Sequence, residues 1–152
     1  MYQHELNYPR PQMVRANWEL LNGPWQFAFD DEENGMKAEW YRGGTELPMT
    51  IQVPFTYETE LGGLDLPQEE REKAHNVVWY RRKLQVDAAK LQAGGLLLHF
   101  EGVDFEAKLW VNGKYAGSHR GGYARATFDV SKLVFPGENT IVMQVTDSFD
   151  TA

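Results

Sequence analysis

The chain has 152 residues with 22 acidic against 15 basic side chains, a net charge of −7, 42% hydrophobic and 13% aromatic residues, and no cysteine. That length and apolar content support one folded domain with a real core and exclude a disordered chain. The acidic balance argues against a nucleic-acid backbone or an anionic membrane surface as partner, and the lack of cysteine excludes disulfides and thiolate metal sites. The N-terminus, MYQHELNYPRPQM, has no basic segment followed by an apolar run, and no window approaches the length of a membrane span. A cytoplasmic protein is therefore expected.

In chain order, residues 1–17, with Pro9 and Pro11, read as an extended N-terminal arm, and 18–152 as one domain. Trp18 to Leu21 is a short apolar run, and Asn22-Gly23-Pro24 reads as a turn. Trp25, Phe27 and Phe29 alternate with Gln26 and Ala28, the period-two pattern of a first strand. Asp30 to Asn34 is acidic and reads as a solvated loop ending in Asn34-Gly35. Thr50 to Val53 is a strand stopped by Pro54, which cannot donate to a ladder. Residues 55–76 show no periodicity and contain Gly62-Gly63 and Pro67, the pattern of a functional or mobile loop, with one exposed helical turn over Glu69 to Lys73. Strand character resumes over Val77 to Val86 and again over Leu96 to Phe100.

The strongest local signal follows. Phe105, Ala107, Leu109 and Val111 share one strand face, while Glu106, Lys108 and Trp110 share the other, giving a half-buried strand. Asn112-Gly113 then predicts a two-residue type I′ turn, with Lys114 to His119 returning antiparallel. Ala126, Phe128 and Val130 alternate with Arg125, Thr127 and Asp129. Ser131 to Val134 reads as a helical turn, and Ile141, Met143 and Val145 alternate with Val142 and Gln144 in the last strand. Seven or eight short strands without a long amphipathic helix predict an all-β fold, an antiparallel β-sandwich.

The runs FEGVDFEAKLWVNGKYAGSHRGGYARATFDVS and PGENTIVMQV carry Gly102-Val103-Asp104, Trp110 to Gly113, Gly117 to Tyr123, Phe128-Asp129 and Pro136 to Asn139 in order. With LNGPWQFAFD, VPF and VVWYRR upstream, the chain resembles the N-terminal sugar-binding domain of the family-2 glycoside hydrolases, which include β-galactosidases, β-glucuronidases and β-mannosidases. The resemblance covers nearly the whole chain and implies a galactose-binding-domain-like jelly roll. It also implies that the chain stops before the final strand of such a domain. In that family the two catalytic carboxylates, which a retaining enzyme holds about 5–5.5 Å apart, sit on a separate (β/α) barrel, where the acid/base Glu follows an Asn. This chain has no Asn-Glu dipeptide, and a barrel of about 250 residues does not fit within it. The resemblance therefore implies a non-catalytic domain of a hydrolase, with β-galactosides as the expected substrates. Its role would be to brace the missing catalytic barrel and help bound the substrate pocket.

The same resemblance singles out Asp150 as the substrate-binding residue. In related β-galactosidases an Asp after this strand contacts sugar hydroxyls, and in some it also touches a cation. Counting from the PGEN turn without gaps, VTDSFD places Asp150 there, with Asp147 as the alternative. A carboxylate can accept hydrogen bonds from two adjacent hydroxyls.

No P-loop, nucleophile elbow or dinucleotide fingerprint occurs, and no cofactor is implied. His4, His75, His99 and His119 are dispersed, so no metal site is expected; His99 is placed on a sheet face and His119 at a strand end. Trp25 and Trp79 are expected in the core and Trp110 under a cover, the N-terminal arm being the expected one, rather than on a sugar platform. Arg81 or Arg82 is expected to be partly buried against a carboxylate, Asp104 being the nearest candidate. Two rival classes remain: a stand-alone carbohydrate-binding module, which needs a complete aromatic platform or polar cleft, and a ligand-free structural sandwich.

Overall fold

The computed structural model describes residues 19–53, 62–64, 66–73, 75–100, 106–121 and 125–146. The arm at 1–17, Trp18, Pro54, residues 55–61, 65 and 74 of the 55–76 loop, Gly102 to Phe105, Gly122-Tyr123, Asp147 and Asp150 lie outside these residues. Eight strands are described: β1 (Gly23–Phe29), β2 (Met49–Val53), β3 (Val77–Val86), β4 (Leu97–Phe100), β5 (Glu106–Val111), β6 (Lys114–Arg120), β7 (Ala126–Asp129) and β8 (Gly137–Thr146). They form a six-stranded sheet in the order β2-β1-β3-β8-β5-β6 and a two-stranded sheet β4-β7, with every pair antiparallel. The expected all-β, antiparallel sandwich is the observed fold.

The core lies between the two sheets. On the large sheet, Trp25, Phe27, Ile51, Val78, Leu84, Val86, Ala107, Leu109, Val111, Ile141 and Met143 face it. Leu98, Ala126, Phe128 and Val130 close it from the β4-β7 side. Burying a side chain of this size stabilises by about 1.5–3 kcal/mol. Aromatic edges organise the middle, with Phe27 edge-on to Tyr80 at 5.2 Å and Phe100 edge-on to Phe128 at 6.1 Å.

Two expectations are corrected, and one element is new. Asn22-Gly23-Pro24 is not a turn: Gly23 and Pro24 begin β1 opposite Val53 and Gln52. The β3 ladder reaches only Gln26, so at Pro24 β1 has a single neighbour and a residue without an N–H is tolerated. β5 is not half-buried: Trp110, on its outer face, is buried as well, under a cover as expected for it, as is Val142 on the neighbouring β8. Both strands are internal to the sheet, and the outer face is itself covered. The segment 87–95 also forms a helix the periodicity does not announce. This is α2 (Ala88–Gly94), capped by the Asp87 carboxylate accepting from Ala89 N at 2.9 Å and closed by Gly95 at φ 85°. The expected exposed turn is the helix α1 (Gln68–Glu72).

The Asn112-Gly113 turn is as predicted, with φ values of 52° and 82°. The returning strand carries a bulge: Leu109 pairs with Gly117 but Trp110 with Tyr115, which leaves Ala116 as the extra residue. Tyr115 is thereby set beside Trp110, edge-on at 5.7 Å.

Candidate functional site

Strand registers bring the ends of β4, β6 and β8 and the starts of β5 and β7 to one end of the sandwich. Thr146 closes β8 opposite Val77 on one side and Glu106 on the other. Glu106 pairs in turn with Arg120, the last residue of β6. Phe100 ends β4 opposite Ala126, the first residue of β7. The links 101–105, 121–125 and 147–152 therefore all leave from this end. Asp150 follows Thr146 by four residues; neither it nor Asp147 is among the described residues, but the strand that delivers them is held on both sides.

The same end carries a buried polar knot that the sequence reading missed. Asp30 does not sit in a solvated loop: it is buried and accepts from Asn34 N at 2.7 Å, Gly35 N at 2.9 Å and Trp79 Nε1 at 2.8 Å. Three donors on one carboxylate offset its desolvation. Next to it, His75 is buried, with Nδ1 2.7 Å from Asp31 Oδ1 and its ring stacked on Phe29 at 3.8 Å. Its Nε2 lies 3.4 Å from the Glu70 carbonyl oxygen, which ties α1 to the end of β1. Acidic residues just after a strand, with a Trp two residues into the facing strand, are the only sequence signal for this knot. His119 is at the end of β6, as expected, opposite Ala107, and its Nε2 is buried without a hydrogen-bond partner among the described residues. His99 is exposed on the β4-β7 sheet, with Nδ1 2.9 Å from Thr127 Oγ1.

The opposite end is a purely structural lock built from two family motifs. Asn112 Nδ2 donates to Leu133 O at 2.9 Å and to Asn139 Oδ1 at 2.8 Å, while Asn112 Oδ1 accepts from Thr140 N at 3.0 Å. Asn139, 1% exposed, also accepts from Phe135 N and donates to the carbonyls of Phe135 and Gly137. The WVNG and PGEN sequences thus bind one another, and each asparagine is required for its amide geometry. Close by, Asp129 accepts from the Ser131 hydroxyl at 2.6 Å and from its amide, which holds the carboxyl below its usual range.

The aromatics and arginines serve packing. Trp25 and Trp79 are core residues, as expected. Trp110 is covered, and its described cover is Tyr41, stacked at 5.4 Å. Trp79 stacks on the other side at 5.6 Å, and Trp40 meets Trp79 edge-on. Arg81 is buried, and its partners among the described residues are Gly43 O, which accepts from Nε and Nη2, and Gln26 Oε1, which accepts from Nη1. Asp104, the suggested partner, lies outside the described residues. Arg82 Nη1 donates to Leu21 O at 2.6 Å, with its guanidinium 5.8 Å from the Trp25 ring centre. Among the described residues no three His, Asp or Glu side chains converge as metal ligands, and no helix is long and apolar enough to cross a membrane.

The described strands define an all-β, antiparallel sandwich domain. The model of the sugar-binding domain of glycosyl hydrolases family 2 matches residues 18–151, and the chain belongs to that family. A β-galactosidase of Kluyveromyces lactis is 31% identical over 84% of the chain and 14% of its own length. A β-glucuronidase of Felis catus is 31% identical over 86% of the chain and 20% of its own length. The solved β-glucuronidase of Lactobacillus rhamnosus superposes with a TM-score of 0.73 at 31% identity, covering 84% of this chain and 21% of that one. The chain thus spans about a seventh to a fifth of the relatives it matches.

Proposed function

We propose that this chain works as the non-catalytic sugar-binding domain of a β-glycosidase, bracing a separate catalytic barrel and lending the substrate pocket the segment that leaves β8. The observation that carries this reading is coverage. The family match runs over residues 18–151, yet the chain accounts for only 14% of a β-galactosidase and 20% of a β-glucuronidase. A domain that occupies a small fraction of its relatives acts through the remainder. Asp150 is the residue assigned to sugar hydroxyls, supported by the register that anchors Thr146 between β3 and β5. β-Galactosides are the first substrate expectation, and β-glucuronides are the rival that the relatives of both kinds supply.

The test is an assay of two proteins on chromogenic β-galactoside and β-glucuronide. The 152-residue chain should hydrolyse neither, while the parent enzyme that contains it should turn over one of them. Turnover by the 152-residue chain, or a parent inert towards both, overturns the reading.

A further inference from the structure

Three Asn-Gly dipeptides occur, at Asn22-Gly23, Asn34-Gly35 and Asn112-Gly113. An asparagine followed by glycine is prone to self-modification, because the glycine nitrogen reaches the side-chain carbonyl carbon without steric hindrance. The nitrogen loses its proton and attacks Cγ. The Cγ–Nδ2 bond then breaks, ammonia leaves with that proton, and a cyclic imide forms. Water opens the imide at either carbonyl, leaving aspartate or isoaspartate.

The fold treats these identical dipeptides differently. At Asn112 the side chain is locked, with both amide atoms committed to Leu133, Asn139 and Thr140. At Asn34 the side chain is exposed and makes no hydrogen bond among the described residues. There the attacking atom is held instead: Gly35 N donates to Asp30 Oδ2 at 2.9 Å, and Asn34 N donates to Oδ1 of the same carboxylate. Glycine is required at 35, since a Cβ there would lie 2.6 Å from Trp79 Nε1 and 2.8 Å from Asp30 Oδ2. Packing against Trp79 therefore enforces the labile dipeptide.

We propose that Asn34 is a latent deamidation site, held in check by the buried Asp30 carboxylate. The carboxylate engages the Gly35 N–H, a hydrogen bond that must be given up before the nitrogen can lose its proton and attack. Its negative charge also opposes the amide anion that must form before attack. Acting as a base is the weaker effect, because a carboxylate is far too weak an acceptor to deprotonate a backbone amide. Modification at 34 adds one negative charge, and as isoaspartate one backbone methylene, in the loop that starts the cover of the sheet's outer face.

The experiment incubates the 152-residue chain and its Asp30→Asn variant in mildly alkaline buffer and follows all three asparagines by peptide mapping. The variant keeps one acceptor for three donors, so deamidation at Asn34 should accelerate roughly tenfold or more, with Asn22 and Asn112 unchanged. An unchanged or slower rate at Asn34 overturns the proposal. Joint acceleration at all three sites reports unfolding of the variant, and the wild-type chain then decides. Its Asn34 should react more slowly folded than in concentrated urea, by the factor by which the Gly35 amide is protected from hydrogen exchange. Equal folded and unfolded rates overturn the proposal.

Discussion

The two faces of the six-stranded sheet are buried by different means. The inner face meets a second sheet, and its residues form one apolar cluster that needs no polar partner. The outer face meets the irregular excursion between β1 and β2. Trp79, Trp110, Val142, Ala28 and Val77 are covered there by Leu47, Trp40 and Tyr41. Regular structure satisfies its own backbone; an irregular cover cannot, so side chains of the sheet do it. Arg81 holds Gly43 O, Gln26 Oε1 accepts from Leu47 N at 2.9 Å, and Asp30 holds Asn34 and Gly35. Arg81, Gln26 and Asp30 are thus the fastenings of this cover.

The largest test of that contrast is Trp79→Ala. It opens a cavity at a residue with 0% exposure and removes a donor from buried Asp30, so a loss of about 3–5 kcal/mol is expected in chemical denaturation. Leu109→Ala, on the inner face, should cost about 2–5 kcal/mol without altering the near-ultraviolet signal of the Trp79–Trp110–Tyr41 stack. A Trp79→Ala chain of wild-type stability would show that the outer face is not a second core.

Arg81→Met sharpens the comparison. The change leaves Gly43 O without its two donors, and about 1–3 kcal/mol should be lost. Hydrogen exchange should rise at Leu47 and around Gly43 while the β5–β8 ladder stays protected. Uniform exchange across both faces would mean that Arg81 does not fasten the cover specifically.

Gly113→Val probes the end where both faces meet. A Cβ at Gly113 would find its nearest neighbour at 3.6 Å, so the site has room and the penalty is conformational. At φ 82° a β-branched residue should lose about 1–2 kcal/mol. An unchanged denaturation midpoint would contradict the turn geometry.

The smallest effect is at Asp129. Ser131 lowers its pKa, so its contribution is present above the unfolded value, about 3.9, and is lost as pH falls through the lower folded value. Asp129→Ala should therefore differ slightly from wild type at neutral pH and converge with it in acid. A difference that grows on acidification has the wrong sign.

Much of the inner face was legible because strand periodicity reports it directly: Trp25 and Phe27, Leu109 and Val111, Ala126 and Phe128, Ile141 and Met143 all alternate as they pack. The Asn112-Gly113 turn was legible because only a few dipeptides suit positive φ. The outer face was legible only in part. Sequence places Trp79 in the core and Trp110 under a cover, but nothing in residues 30–47 has the regularity of a covering element. Asp30 read as a loop acid, since sequence does not give the amide donors of a turn, and for the same reason the Gly43 carbonyl that Arg81 holds was not legible. The candidate site was legible only through family motifs; the register of β8 adds where its carrier strand ends.

The central claim, that this domain hands a sugar-binding residue to a neighbouring active site, is tested most directly by kcat/KM of the parent enzyme carrying Asp150→Ala. Hydrogen bonds to a charged group contribute about 1.5–3 kcal/mol, so a fall of roughly ten- to a hundredfold is predicted, with Asp150→Asn retaining part of the activity and the folding midpoint unmoved. Wild-type kinetics in Asp150→Ala would contradict the account and shift the assignment to Asp147.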